Sequence, residues 1–308
     1  QVFSQKLVDL AAANKKIIAI TAAMTEGTGL DKFRDLYPER FFDVGIAEQH
    51  AVCFAAGLAA GGFKPVVVIY STFLQRAFDQ IVEEVCLQNL PVVLCVDRAG
   101  IVGEDGVTHQ GIFDLNFLRG LPKLVIMAPA DGEEFCRMLE FALSLQQPVA
   151  IRYPRSSVPS KQISWTKLEM GKPEILREGK EVAIVALGSM VEVSLEAAEI
   201  LSGDKISSTV INARFVKPLD TGVFKSIAKN CKLVFAVEDG TSRGGFGSAL
   251  AEILDVPVVK IGLPDQFIPH GRRDLLLEKF GLDARGIAGS IKKELFKNGE
   301  DNHRSGKM

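Results

Sequence analysis

Residues 16–21, 65–70, 91–97, 124–128 and 148–153 form runs rich in Val, Ile, Leu and Ala, with helical spacing between most of them. A strand with one face in water alternates apolar and polar residues, so continuous runs need cover on both faces. Runs of that kind separated by helices pair in parallel, because a parallel connection needs a crossover long enough to hold a helix. Helical patterns are read at 3–13 and 31–36, and a shorter strand at 41–44. The same alternation restarts at residue 182, with strands at 182–188, 208–212, 233–237 and 257–261 and helices at 191–201, after Pro218 and after Gly245. Between the two series, Ser156-Ser157, Pro159, Trp165 and Pro173 break the periodicity and read as a linker or irregular crossover. The chain is therefore read as two α/β domains, each a mostly parallel sheet covered by helices: 1–158, a linker at 159–180, a smaller domain at 181–300, and a polar, frayed tail at 301–308.

Its 308 residues suit two domains. The 36 basic and 38 acidic side chains nearly cancel, which gives no electrostatic reason for nucleic acid or a membrane surface as partner. The five cysteines are scattered, without C-x-x-C, which fits a reducing compartment and a cytoplasmic location, or a plastid in a plant or alga. No run of apolar residues is long enough to span a membrane. The sequence begins Gln-Val-Phe-Ser, without Met, a charged n-region or a signal-like apolar region, which reads as a processed end or an excised piece.

Within the first domain, residues 43–62 turn at Gly45 into a helix of mostly small or apolar residues that contains Glu48. A helix apolar all round lies inside a protein, and a carboxylate on it must pair, protonate or face a ligand. Glu48 is either a first-turn cap that complements the helix dipole or a working acid. Ligands in open parallel sheets sit beyond the carboxyl ends of the strands, and the unusual residues gather there. The run ending at Tyr70 leads to Thr72 and Gln75, spaced as a capping box, and to Phe73 and Arg76, a core ring and a solvated cation unless a ligand claims them. The run ending at Asp97-Arg98 leads into a glycine-rich loop holding Asp105 and His109. Such a loop usually serves a site, although Asp105-Gly106 alone makes a turn and His109 alone pins a loop. The run ending at Tyr153 leads to Arg155. The four histidines lack metal-binding spacing, and Leu187-Gly-Ser-Met-Val191 lacks the second glycine of a nucleophile elbow. Gly244-Gly-Phe-Gly-Ser248 reads as a close-packed turn.

Residues 43–62, Tyr70-Ser-Thr-Phe-Leu-Gln-Arg76, Asp97-Arg-Ala-Gly100, Gly103-Glu-Asp-Gly-Val-Thr-His-Gln-Gly111, Arg152-Tyr-Pro-Arg155 and Asn212-Ala-Arg-Phe-Val-Lys-Pro-Leu-Asp220 resemble the 1-deoxy-D-xylulose-5-phosphate synthases, transketolase-like enzymes that use thiamine diphosphate. The resemblance covers about residues 1–291. Gly-Glu-Asp-Gly-x-Thr-His-Gln is shared with transketolases; the Tyr70–Arg76 segment, Asp-Arg-Ala-Gly and Tyr-Pro-Arg are more particular to the synthases. Ser156 stands where the family usually has glycine. The Gly-Asp-Gly signature of the family's amino-terminal domain, which holds magnesium and the cofactor diphosphate, does not occur here. The likeness is thus to the pyrimidine-binding and carboxyl-terminal domains alone.

The resemblance implies roles. Glu48 faces N1′ of the cofactor's aminopyrimidine and shares a proton there, Ile46 lines the cofactor, and Phe73 stacks on the pyrimidine. Arg98 and Arg155 bind the acceptor phosphate through planar, bidentate contacts. Tyr70, Arg76, Asp105 and His109 bind the donor carboxylate and acceptor hydroxyls or relay protons, with Asp105 and His109 on the catalytic side. No metal ligand is assigned on this chain. The implied reaction condenses pyruvate with D-glyceraldehyde 3-phosphate with loss of CO2, giving 1-deoxy-D-xylulose 5-phosphate, a precursor of isoprenoids, thiamine and pyridoxal. The implied partners are an amino-terminal diphosphate- and Mg2+-binding part and a second copy in a homodimer, and the chain alone is expected to be inactive. A split transketolase subunit is the second reading. A non-catalytic assembly module is the third, against which the joint presence of Glu48, Phe73, Asp105, His109 and both arginines argues.

Overall fold

The computed structural model describes residues 1–159, 162, 163 and 166–305; Trp165 of the expected linker and residues 306–308 of the expected tail lie outside them. The strands are β1 (Ile17–Thr21), β2 (Phe41–Asp43), β3 (Lys64–Tyr70), β4 (Val93–Asp97), β5 (Val125–Met127), β6 (Val149–Arg152), β7 (Glu174–Arg177), β8 (Val182–Ala186), β9 (Ser208–Asn212), β10 (Phe215–Lys217), β11 (Leu233–Thr241) and β12 (Val258–Leu263). They form two sheets, ordered β10-β5-β6-β4-β3-β1-β2 and β12-β11-β8-β9-β7. All pairings are parallel except those of the edge strands β10 and β7. The β-branched runs account for this: Val66, Val67, Val68 and Ile69 are buried on alternating faces of β3, as are Val182–Ala186 along β8.

Two strands depart from the sequence reading. β7 lies inside the stretch expected as a linker, where it pairs antiparallel with β9. β10 crosses from the second half of the chain to the edge of the first sheet, setting Phe215 opposite Met127. The crossing is locked by buried charge. Arg214 donates through Nε to Glu134 at 2.8 Å and through Nη2 to Glu174 at 2.5 Å, and Asn212 donates to the same Glu134 carboxylate. One apolar core runs through both units, placing Leu115, Leu118 and Ala128 with Leu187, Ala213 and Phe246. The last helix continues to Ser305, so the expected tail starts as helix.

The helix Glu48–Ala60 is not enclosed as its composition predicts. Ala51, Val52, Ala55, Ala56 and Ala59 pack inward, whereas Gln49, His50, Cys53 and Gly57 face out. Its outward residues are small or weakly polar, so the apolar pattern persists around a helix that this chain covers on one side only. Phe42, Ile46 and Phe63 extend the exposed apolar surface. No helix among the described residues is long and apolar enough to cross a membrane.

Candidate functional site

Register brings the carboxyl ends of the central strands together. Thr21 lies beside Asp43 and Val68, and Tyr70 lies beside Asp97. Gly45, at φ +71°, turns the chain from β2 into the helix Glu48–Ala60. That turn puts Glu48 at the helix start, only 3% exposed. Its carboxylate caps no backbone N–H of the helix; it accepts a hydrogen bond from Arg76 Nη1 at 3.1 Å. Glu48 thus keeps the first-turn place that suits the helix dipole and adds an ion pair with the half-exposed Arg76.

From Glu48 the contacts run on without a break. The Arg76 guanidinium lies 5.4 Å from the Phe73 ring centre. Phe73 stacks on Tyr70, with centroids 5.7 Å apart, and meets the His109 ring edge-on at 5.3 Å. Tyr70 in turn lies under the Arg98 guanidinium, 3.7 Å from it, and burial raises the phenol pKa. Arg98 takes a left-handed backbone (φ +57°), held by Asp97, whose carboxylate accepts the Arg98 N–H at 2.7 Å and Nη1 at 2.6 Å. Burial raises the Asp97 pKa against the pull of Arg98. Asp105 lies between the arginines, 3.5 Å from Arg98 Nε and bonded by Arg155 Nη1 at 2.9 and 3.1 Å. Every residue to which the resemblance gives a site role joins these contacts except Ile46, which is 76% exposed. The Thr72 hydroxyl donates to Thr108 O at 2.8 Å rather than capping a helix, which ties the Tyr70 turn to the His109 loop.

A cleft of about 1040 Å3 opens beside the arginines, lined by Gly27, Asp97, Arg98, Arg155, Ser189 and Arg273 among others. Glu48 and Phe73 do not line it. Sequence reasoning passed over Asp114, Asp239 and Arg273. Arg152, quoted only as part of a motif, is buried and bonded to Asp114 and Asp239, each at 2.8 Å. Burial disfavours the Arg152 charge, but the flanking carboxylates more than offset that and hold its pKa above the ordinary value. Among the described residues, no group of three or more His, Cys, Asp or Glu could hold a metal ion.

Residues 1–161 match the family described as transketolase, pyrimidine binding domain, and residues 171–287 match transketolase, C-terminal domain. The chain belongs to the transketolase family. Among curated relatives, it is 52% identical over 296 residues to a 1-deoxy-D-xylulose-5-phosphate synthase of Caldanaerobacter subterraneus subsp. tengcongensis, covering 94% of this chain and 48% of that protein. It is also 52% identical over 303 residues to one of Gloeobacter violaceus, covering 96% and 48%. The chain thus spans about half the length of the curated relatives it matches. A solved structure titled as a split gene transketolase, inactive beta4 tetramer, superposes with TM-score 0.85 at 34% identity, over 95% of this chain and 96% of that one. As a transketolase-family chain it carries a pyrimidine-binding unit for thiamine diphosphate, and the buried Glu48 carboxylate, joined through Arg76 to the half-buried Phe73 ring, offers a hydrogen-bonding group and a stacking surface that fit an aminopyrimidine.

Proposed function

We propose that this chain is the pyrimidine-binding and carboxyl-terminal part of a 1-deoxy-D-xylulose-5-phosphate synthase, which condenses pyruvate with D-glyceraldehyde 3-phosphate and releases CO2. The single observation that carries the reading is the unbroken set of contacts from Glu48 through Phe73 and Tyr70 to Arg98, Asp105 and Arg155 at one sheet edge. When bound, thiamine diphosphate supplies the electron sink for decarboxylation. Glu48, fixed by Arg76, holds or gives up the proton at the pyrimidine nitrogen, and Phe73 supports that ring. Arg98 and Arg155 present guanidinium groups to the acceptor phosphate, which must exchange with Asp105 to reach them. His109, edge-on to Phe73, stands beside the reacting groups and can move a proton to the acceptor. The diphosphate and Mg2+ sites belong to an amino-terminal part, and the outward apolar face of the helix Glu48–Ala60 supports assembly with a second copy.

Joined to the amino-terminal part of a full-length relative, with cofactor and magnesium, the chain should release CO2 from pyruvate when D-glyceraldehyde 3-phosphate is present. A split transketolase is the second reading, favoured by the 34% identical chain of that description. Ketol transfer from xylulose 5-phosphate to ribose 5-phosphate without pyruvate turnover would establish that reading instead.

A further inference from the structure

The loop carrying Asp105 and His109 is pressed against the second unit. Its glycines mark the contact: a Cβ on Gly100 would lie 2.1 Å from Asp239 Oδ2, and one on Gly103 would lie 2.7 Å from Gly271 O and 2.8 Å from Arg273 N. Both have positive φ, so only glycine fits in space and in backbone. Gln110 bridges the same gap. Its Oε1 accepts the N–H groups of Val102 at 2.9 Å and Gly103 at 3.3 Å, while its Nε2 donates to Pro269 O at 3.1 Å.

Behind the loop lies a cluster of two arginines and two carboxylates. Arg273 donates through Nε to Ile101 O at 3.0 Å and through Nη2 to Ser189 Oγ at 3.2 Å. Ser189 Oγ donates to Asp239 Oδ2 at 3.1 Å, and the other Asp239 oxygen accepts from Arg152, which also pairs with Asp114. Two positive and two negative groups balance there, and Arg273 links them to the loop backbone. Truncating it would leave an excess buried negative charge and a loop carbonyl without its donor.

We propose that Arg273 is a positioning residue: held by Ser189 beside Asp239, it fixes residues 100–111 against the second unit and so sets where Asp105 and His109 stand. The second domain then acts on the site through this loop. The idea rests on the functional reading above only in its activity arm.

Hydrogen–deuterium exchange on the chain itself tests the positioning directly. In Arg273→Ala, peptides spanning 100–111 should exchange at least about tenfold faster, while those of β3, β4 and β8 keep their protection. Unchanged exchange at 100–111, or an equal rise across both sheets, would overturn the proposal. Should Arg273→Ala fail to fold, Arg273→Gln keeps the stem and one donor and is read in the same way. In the enzyme assembled with its amino-terminal part, Arg273→Ala should lower kcat/KM for the aldehyde by about ten- to a hundredfold, and Arg273→Lys should recover most of it. A loss that Lys leaves unrescued contradicts positioning through the charge and the Ile101 contact. An assembled wild type that never turns over pyruvate counts against the functional reading and leaves the exchange result standing.

Discussion

At the carboxyl ends of β3, β4 and β6, charged side chains reach toward open space: Arg155 is 58% exposed and Arg76 49%. At the carboxyl ends of β9 and β11, the corresponding places are filled by protein. Asn212 and Arg214 bond to Glu134, Glu238 accepts the N–H groups of Phe246 and Gly247, and Asp239 holds Arg152 and Ser189. Both sheets have parallel cores covered by helices, and general experience places ligands at this edge in either. Which edge stays open is decided by what packs on it. The second sheet's edge is turned toward the first unit, and its polar groups bond to Glu134 and Arg152 there and to the start of the helix Phe246–Ile253. The first sheet's edge keeps an aromatic pair and half-exposed arginines whose carboxylate partners a ligand can replace.

The sharpest way to break this contrast uses two arginines three residues apart. Arg152 is buried between Asp114 and Asp239, so Arg152→Ala should lower unfolding stability by about 3–5 kcal/mol, because it strands two buried carboxylates. Arg155→Ala removes an exposed pair and should change stability by no more than about 1 kcal/mol. Urea titration compares the two, and equal losses would erase the distinction between a sealed and an open edge.

Glu238 gives the sealed edge a pH signature. Burial pushes its pKa up to about 7, against the pull of the Gly247 and Phe246 N–H groups. The folded chain therefore holds this proton more tightly than the unfolded chain does. The resulting stability is fully present below about pH 4.5 and is lost as pH rises toward about 7, amounting to about 3 kcal/mol. Urea midpoints at pH 5 and pH 8 should show this decline, and Glu238→Gln should flatten it. An undiminished decline in the variant would mean that another group is responsible.

At the open edge, Arg98→Lys keeps the charge but loses the planar fork. In the assembled enzyme it should weaken aldehyde use by about 1.5–3 kcal/mol, about ten- to a hundredfold, with pyruvate less affected. A shift in pyruvate dependence alone would assign Arg98 to the donor.

The doubly buried strands were legible because β-branched runs need cover on both faces, and Tyr70, Arg98 and Arg155 stood out because they end or follow such runs. β7 and β10 were not. Each has only three or four residues and an antiparallel partner far away in sequence, so their pairing is set by tertiary contact rather than by local pattern. The open face of the helix Glu48–Ala60 was hidden because Gly57 and Cys53 look alike in a buried or an exposed helix. Thr72 obeyed capping-box spacing, yet its hydroxyl found the Thr108 carbonyl, which only the folded loop brings near. Asp239 and Arg273 fall outside every motif, and their importance arises from the meeting of the two units.

As proposed, Glu48, buried and held by Arg76, acts as an acid–base group for thiamine diphosphate rather than only as a first-turn acid. Exchange of the cofactor's C2 proton, followed by NMR in the assembled enzyme, tests it most directly. Glu48→Gln preserves size and neutral hydrogen bonding but removes the carboxyl. The account predicts exchange slowed by at least about a hundredfold with the fold and cofactor binding retained; exchange at the wild-type rate would contradict it and leave Glu48 a structural partner of Arg76.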